Sequence, residues 1–156
     1  MPTCYQLIGV PGSGKSTWVS EQDWAGKCAY ISTDVYVEEF AKNAGKTYSE
    51  VFKDVMPDCV ANMSADVICA RSSGIDIIWD QTSTTINSRK KKFNMLPEYD
   101  HVAVVFRTPK KAELDRRLKS RYDSGKVIPA DVVENMIGSW EEPTVEEGFV
   151  TIWYAS

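Results

Sequence analysis

The sequence predicts an α/β fold, a five-stranded parallel sheet with helices on both faces. Three observations carry this. Short apolar runs of strand character alternate with helical stretches, the pattern that builds parallel sheets from crossover units. The first run leads directly into G-V-P-G-S-G-K-S-T at residues 9–17, a glycine-rich turn opening a helix. The chain of 156 residues is long enough for one sizeable core and short for two ordinary domains, so a single domain over residues 1–156 is expected.

Each element has its own signal. Residues 4–9 (C-Y-Q-L-I-G) form an apolar run ending at the glycine turn, as a buried first strand does. A helix then starts within G-K-S-T and reaches about residue 21, and residues 29–32 (A-Y-I-S) give a second short strand. Residues 35–70 read as helical, with breaks expected at 43–46 and at Met56-Pro57. The β-branched and aromatic run at 75–79 (I-D-I-I-W) predicts the third strand, and 101–106 (H-V-A-V-V-F) the fourth. Residues 88–96 suit the helix between them. Two further helices are expected over 110–122 and 130–139, before a final strand at 149–154 (F-V-T-I-W-Y).

With 43% hydrophobic and 26% charged residues, the composition is that of a soluble globular chain and excludes a disordered or low-complexity one. No apolar run approaches the roughly 20 residues that cross a bilayer, and the glycine turn leaves little room for a signal peptide after Met1. A cytoplasmic location is therefore expected. Cys4, Cys28, Cys59 and Cys69 are scattered, with only His101 to assist them in metal binding, and read as reduced, small apolar residues.

The net charge of -4 conceals an asymmetry: residues 34–80 hold nine acids and four bases, residues 86–126 twelve bases and five acids, and residues 131–148 six acids and no base. A basic stripe in an acidic protein could present positive potential to a polyanion, or could be a solvated helix surface.

The glycine turn carries the most specific chemistry. Gly9, Gly14, Lys15 and Ser16 fit the P-loop pattern of nucleoside-triphosphate enzymes, and the expected architecture is thus the P-loop NTPase fold. A chance match in a chain this long is on the order of one percent or less. Backbone N-H groups of Gly12, Ser13 and Gly14 at a helix N-terminus suit a triphosphate. Lys15 suits the β- and γ-phosphates, the Ser16 hydroxyl Mg²⁺, and the Thr17 hydroxyl the α-phosphate.

Ligands of parallel sheets bind beyond the carboxyl ends of the strands. Two acids stand there, Asp34 in S-T-D-V-Y and Asp80 in I-I-W-D-Q-T. Phosphoryl transfer needs one carboxylate to orient and deprotonate the acceptor hydroxyl, and another to hold Mg²⁺ or its waters. An aspartate at such a junction also serves as a helix N-cap. Further on, R-R-L-K-S-R-Y-D-S-G-K-V-I-P places Arg117 and Arg121 four residues apart, on one face of a helix leading into a lid around residues 116–128. Arg116 points elsewhere and reads as a surface residue.

Taken together, the P-loop, the acid after the second strand, D-Q-T after the third, R-L-K-S-R before G-K-V-I-P, and P-T-V-E-E-G-F before the last strand resemble the phage-type polynucleotide 5'-hydroxyl kinases and their P-loop ATPase relatives. The resemblance spans residues 7–152. It implies ATP and Mg²⁺ as cofactors and the 5'-hydroxyl end of DNA or RNA as acceptor. It implies Asp34 as general base, Asp80 as the acid near substrate and metal, Arg121 as the transition-state arginine, and Arg117 as its support beside the nucleotide.

The chain departs from the family in three places. Val37 stands where those kinases carry an arginine for the phosphate 3' to the acceptor sugar. Ser83 stands where asparagine commonly follows D-x-T, and the phosphatase domain often fused to such kinases has no counterpart in these residues. Replacement contacts could come from Arg89 to Lys92 or from Lys42 or Lys46, and Tyr36 could stack on a base or pack half-buried. Trp18, Trp79 and Trp153 are expected in the core. Two other functions fit the same residues: a small-molecule kinase for a nucleoside, sugar or antibiotic hydroxyl, and an ATP-dependent binding module.

Overall fold

A computed structural model describes residues 1–155. Among these residues, strands β1 (Thr3–Ile8), β2 (Ala29–Ile31), β3 (Ile77–Asp80), β4 (Asp100–Val105) and β5 (Phe149–Tyr154) form one sheet in the order β2-β3-β1-β4-β5, every pair parallel. This is the expected fold class. The connections are α1 (Lys15–Glu21), α2 (Asp34–Ala44), α3 (Tyr48–Ser73), α4 (Ile86–Met95), α5 (Lys111–Lys119) and α6 (Ala130–Gly138).

Strand residues alternate between the two faces, and each face has its own helices. Leu7, Ile78, Val102, Val104 and Phe106 pack against Trp18 and Val19 of α1. On the opposite face Cys4, Ile31, Ile77 and Trp79 pack against Met63, Val67 and Ala70 of α3, and Ile8, Ala103 and Val105 lie with Phe93 of α4. The C-terminal ends of β1, β2 and β3 thereby deliver the glycine turn, Asp34 and Asp80 to one rim of the sheet.

Helix α3 runs through Pro57, where the sequence predicted a break. A proline inside a helix costs about 3 kcal/mol, because it leaves the carbonyl four residues back without a donor. Here Pro57 is exposed, so water can take the Lys53 carbonyl, while Val51, Cys59, Met63, Val67 and Ala70 bury the other side. Thr47 and Glu50 close a capping box at the start, and Gly74 ends the helix in the left-handed conformation (φ 66°).

Other expectations shift with burial. Trp79 is buried and Trp18 half-buried, but Trp153 is 41% exposed, because β5 is an edge strand, and this ring packs on Tyr5. Cys4 and Cys59 are buried free thiols, whereas Cys69 lies on the exposed side of α3. His101 sits inside the sheet, its ring nitrogens paired with Gln6 Nε2 at 3.0 Å and the Leu96 carbonyl at 2.9 Å.

Val37 is fully buried between α2 and α3, with Ala41, Val51 and Cys59 around it. An arginine at this position meets an apolar seam. Val37→Arg is expected to cost about 3 kcal/mol or more, as an unpaired buried charge does, and to lower the melting temperature on the order of 6–12 °C. Thermal unfolding checks this; an unchanged midpoint would mean that the side chain can reach the rim.

Candidate active site

The turn after β1 is shaped by close contacts around its glycines. A Cβ on Gly9 would lie 2.5 Å from Ser13 Oγ and 2.9 Å from Phe106 Cβ, and one on Gly12 would lie 3.1 Å from Leu114 Cδ1 of α5. Gly12 (φ 83°) and Gly14 (φ 100°) also adopt the left-handed region that disfavours side chains. Gly14 is the N-cap of α1 and makes no side-chain cap, and the first turn of that helix holds no acid. Its leading N-H groups and positive dipole end are left for an anion. Ser13 is buried, with Oγ unpartnered.

The glycine turn opens onto a cleft of about 1210 Å³. Gly12, Gly14, Lys15, Ser16, Thr17, Asp34, Asp80 and Arg121 all line it, which brings together most of the residues singled out from sequence. Lys15 Nζ donates to the carbonyls of Gly9 (2.8 Å) and Val10 (3.0 Å). Burial lowers its pKa to about 8; Arg121 and Lys126 push the same way, against Asp80 and Asp34.

The two carboxylates occupy different environments. Burial pushes Asp34 up, but the Lys126 ammonium, the Tyr48 hydroxyl and Lys15 outweigh it and hold the carboxyl below its ordinary range. Tyr48 Oη donates to Asp34 Oδ1 at 2.6 Å and Lys126 Nζ to Oδ2 at 3.0 Å. Asp80 moves the other way: burial, with the charge of Asp34 added, raises it above the ordinary range against Lys15 and the Tyr30 hydroxyl. Tyr30 bonds Asp80 Oδ2 and also interacts with the Ser16 hydroxyl. Two nearby acids with pKa values pushed apart can take different roles, one remaining ionised.

Helix α5 ends at Lys119, one turn short of the sequence expectation, and a 3-10 turn follows at Tyr122–Ser124. Arg117 and Arg121 therefore do not share a helical face. Arg117 Nη1 donates to the Gly12 carbonyl at 3.0 Å, and its Nε to Glu113 at 2.8 Å, so it braces the glycine turn from behind, outside the cleft lining. Arg121 lines the cleft. Arg116 pairs with Glu113 on the surface, as expected.

The residues suggested as substitutes for the missing arginine are elsewhere. Arg89 is completely buried, in a two-pronged ion pair with Glu147 (2.8 and 3.1 Å) and bonded to the Ser83 carbonyl at 3.0 Å. Lys92 is buried over the Trp79 ring, 5.3 Å from its centroid. Lys42 and Lys46 are exposed and outside the cleft lining. Tyr36 is half-buried with its hydroxyl on Asp66, so it packs. Ser83 holds a left-handed backbone (φ 48°), a conformation asparagine tolerates more readily than serine.

Sequence reasoning missed Tyr30, Tyr48 and Lys126. Tyr48 lies 14 residues and Lys126 92 residues from Asp34, and no local pattern links them. Lys126 stood in the quoted G-K-V-I-P turn without a role.

Comparison with known proteins adds the family. The AAA domain family matches residues 6–143. A candidate kinase from Chloroflexus aurantiacus J-10-fl is 17% identical, with a TM-score of 0.72, over 99% of this chain and 84% of that one. A chain of the Pnkp1/Rnl/Hen1 RNA repair complex is 25% identical, with a TM-score of 0.65, over 88% of this chain and 43% of that one. Shikimate kinase from Acinetobacter baumannii, in complex with shikimate, is 13% identical, with a TM-score of 0.56, over 100% of this chain and 84% of that one. This chain spans less than half of the RNA repair chain that it matches. Among the described residues no helix is long and apolar enough to cross a membrane. With its glycine turn, parallel sheet order and matched span in agreement, the chain belongs to the AAA domain family and has the P-loop kinase-like fold.

Proposed function

We propose that this protein is an ATP-dependent phosphotransferase that moves the γ-phosphate to a hydroxyl, the acceptor being the 5'-hydroxyl end of DNA or RNA. The observation that carries the transfer is an aspartate held ionised across one cleft from the P-loop lysine. The likeness to a chain of an RNA repair complex, at 25% identity over 88% of this chain, supports the acceptor.

The uncapped start of α1 and the hydroxyls of Ser16 and Thr17 fit a triphosphate. Mg²⁺ keeps several water and phosphate ligands, so Ser16 and Asp80 suffice from the protein. When bound, the ion neutralises charge on the β- and γ-phosphate oxygens. Lys15 turns from the Gly9 and Val10 carbonyls to those oxygens. Asp34 accepts the acceptor hydroxyl's proton as its oxygen bonds to the γ-phosphorus and the bond to the β-phosphate oxygen breaks, leaving ADP. Arg121 meets the charge that develops.

A second reading, a small hydroxylated acceptor on the same fold, is favoured by a specific observation. Val37, Arg89 and Lys92 are buried, and the acids Glu38, Glu50 and Asp54 line the cleft together with Lys53. A polyanion gains little there.

Transfer of labelled γ-phosphate to a short 5'-hydroxyl oligonucleotide decides between them. The expected result is transfer that weakens steeply with salt, as phosphate contacts do. Label appearing only on sugars or nucleosides selects the second reading. Asp34→Asn is expected to cut turnover by about 10²–10⁴-fold with ATP affinity within a few-fold; a matching loss of ATP binding would move Asp34 to the nucleotide side. Arg121→Ala is expected to lower kcat more than ATP affinity, because its contact strengthens with transition-state charge.

ATP affinity should also depend on pH through Lys15. With its pKa lowered to about 8, the lysine is charged below that pH and neutral above it. Affinity is expected to be flat near pH 7 and to weaken by up to about tenfold per unit well above 8. Lys15→Arg, which stays charged, removes this slope. Titration calorimetry across pH reads it, and a parent protein with no slope would exclude Lys15 from the phosphates.

A further inference from the structure

The segment after α5 is fastened to the start of α3. Val127 N donates to Ser49 Oγ at 2.9 Å, the Ser49 hydroxyl lies 3.2 Å from the Val127 carbonyl, and Ser49 N donates to the Gly125 carbonyl at 3.2 Å. Gly125 (φ 80°) sits so close to Thr47 that a Cβ would lie 2.4 Å from that residue's own. This docking lets Lys126 reach inward, its side chain only 17% exposed, to Asp34 Oδ2 at 3.0 Å and to 4.6 Å from the centre of the Tyr48 ring. Tyr48 is itself the first residue of α3 and takes Oδ1. Both oxygens of one carboxylate are thus held by the two elements that meet at the docking contact.

We propose that Lys126 is the positioning residue for Asp34, coupling closure of the 121–128 segment onto α3 to the orientation of that carboxylate, with Tyr48 as its second anchor. Opening the segment removes the ammonium and the cation-π contact together. Among its hydrogen bonds in the described residues the carboxylate then keeps that of the Tyr48 hydroxyl, with Lys15 acting without a bond, and is free to rotate. Closing it fixes the plane of the carboxylate toward the cleft, so an aligned base exists only when the cleft is covered. Premature proton transfer in an open, wet site is thereby avoided. The role as base rests on the transfer reading above; the coupling does not.

The groups facing Asp34 are Lys126 from the closing segment, Tyr48 and Cys59 from α3, Lys15 from the glycine turn, Asp80 from β3 and Tyr30 from β2. Of these, Lys126 favours the ionised form most among the partners, against the effect of burial. The sign follows: without Lys126, Tyr48 and Lys15 alone oppose the effect of burial, and Asp34 protonates at higher pH.

The test is carboxyl NMR titration of Asp34 in the intact protein, assigned with Asp34→Asn. Lys126→Met is expected to raise the midpoint by about one to three pH units, the range for loss of an adjacent opposite charge. Lys126→Arg should stay near the parent and Tyr48→Phe should fall between. Coupling is reciprocal, so amide hydrogen exchange at Val127 is expected to speed up about tenfold in Asp34→Asn, a loss near 1.4 kcal/mol of closure. An unchanged midpoint in Lys126→Met, or an unchanged Val127 amide in Asp34→Asn, overturns the coupling. These readouts need no acceptor. If both hold while no acceptor is phosphorylated, the coupling stands and the base assignment falls. If transfer is found, Lys126→Met should lower kcat at unchanged ATP KM and move the acid limb of the pH profile upward, with Lys126→Arg restoring both.

Discussion

The turn between β1 and α1 is gripped from several sides at once, and the rest of the site is arranged around that grip. Thr82, just past β3, accepts from Gly9 N at 2.9 Å; Phe106 packs where a Gly9 side chain would stand; Leu114 of α5 closes on Gly12, and Arg117 holds the Gly12 carbonyl. Such approaches need backbone without side chains. They also join β3, β4 and α5 to one turn, so a displacement of any of these elements moves the groups that would receive a phosphate. A preorganised anion site of this kind gives up little reorganisation energy when charge arrives.

Around that turn, much of the chain's basic character is spent internally. Arg89 pairs with Glu147 inside the protein, Lys92 lies over Trp79, Arg117 braces the turn, and Lys126 meets Asp34. A buried pair contributes little net stability, yet breaking one costs about 3–5 kcal/mol because it leaves a lone charge. Arg89 and Glu147 therefore act chiefly as a fixed strut between α4, the loop after β3, and the turn before β5. What remains for solvent from the stripe is mainly Lys90, Lys91, Lys110, Lys111 and Lys119, a thinner positive field than twelve bases suggest.

Asp34 and Asp80 illustrate how position sets chemistry. Both are aspartates at strand ends, and both are half-buried. At Asp34 a bonded ammonium and a phenol outweigh burial, whereas at Asp80 burial and the negative charge of its neighbour outweigh a phenol and Lys15, and their proton affinities diverge in consequence. The closing segment supplies the ammonium that makes the difference.

The sequence determined what repeats locally. Alternating apolar runs identified all five strands, and the spacing of Gly9, Gly14, Lys15 and Ser16 identified the turn, because strand pairing and phosphate cradles are encoded within a few residues. Junction position alone picked out Asp34 and Asp80, and the basic run picked out Arg121. Tertiary structure decided the rest. Whether Pro57 breaks a helix depends on which side of α3 faces solvent, and whether Arg89 or Lys92 is a surface charge depends on Glu147 and Trp79, remote in sequence. Val37 reads as a lost arginine in one dimension and as core in three. The Tyr48–Asp34–Lys126 contact joins residues 14 and 92 positions apart, and such contacts exist only once α5 has ended early and its following turn has folded back over α3.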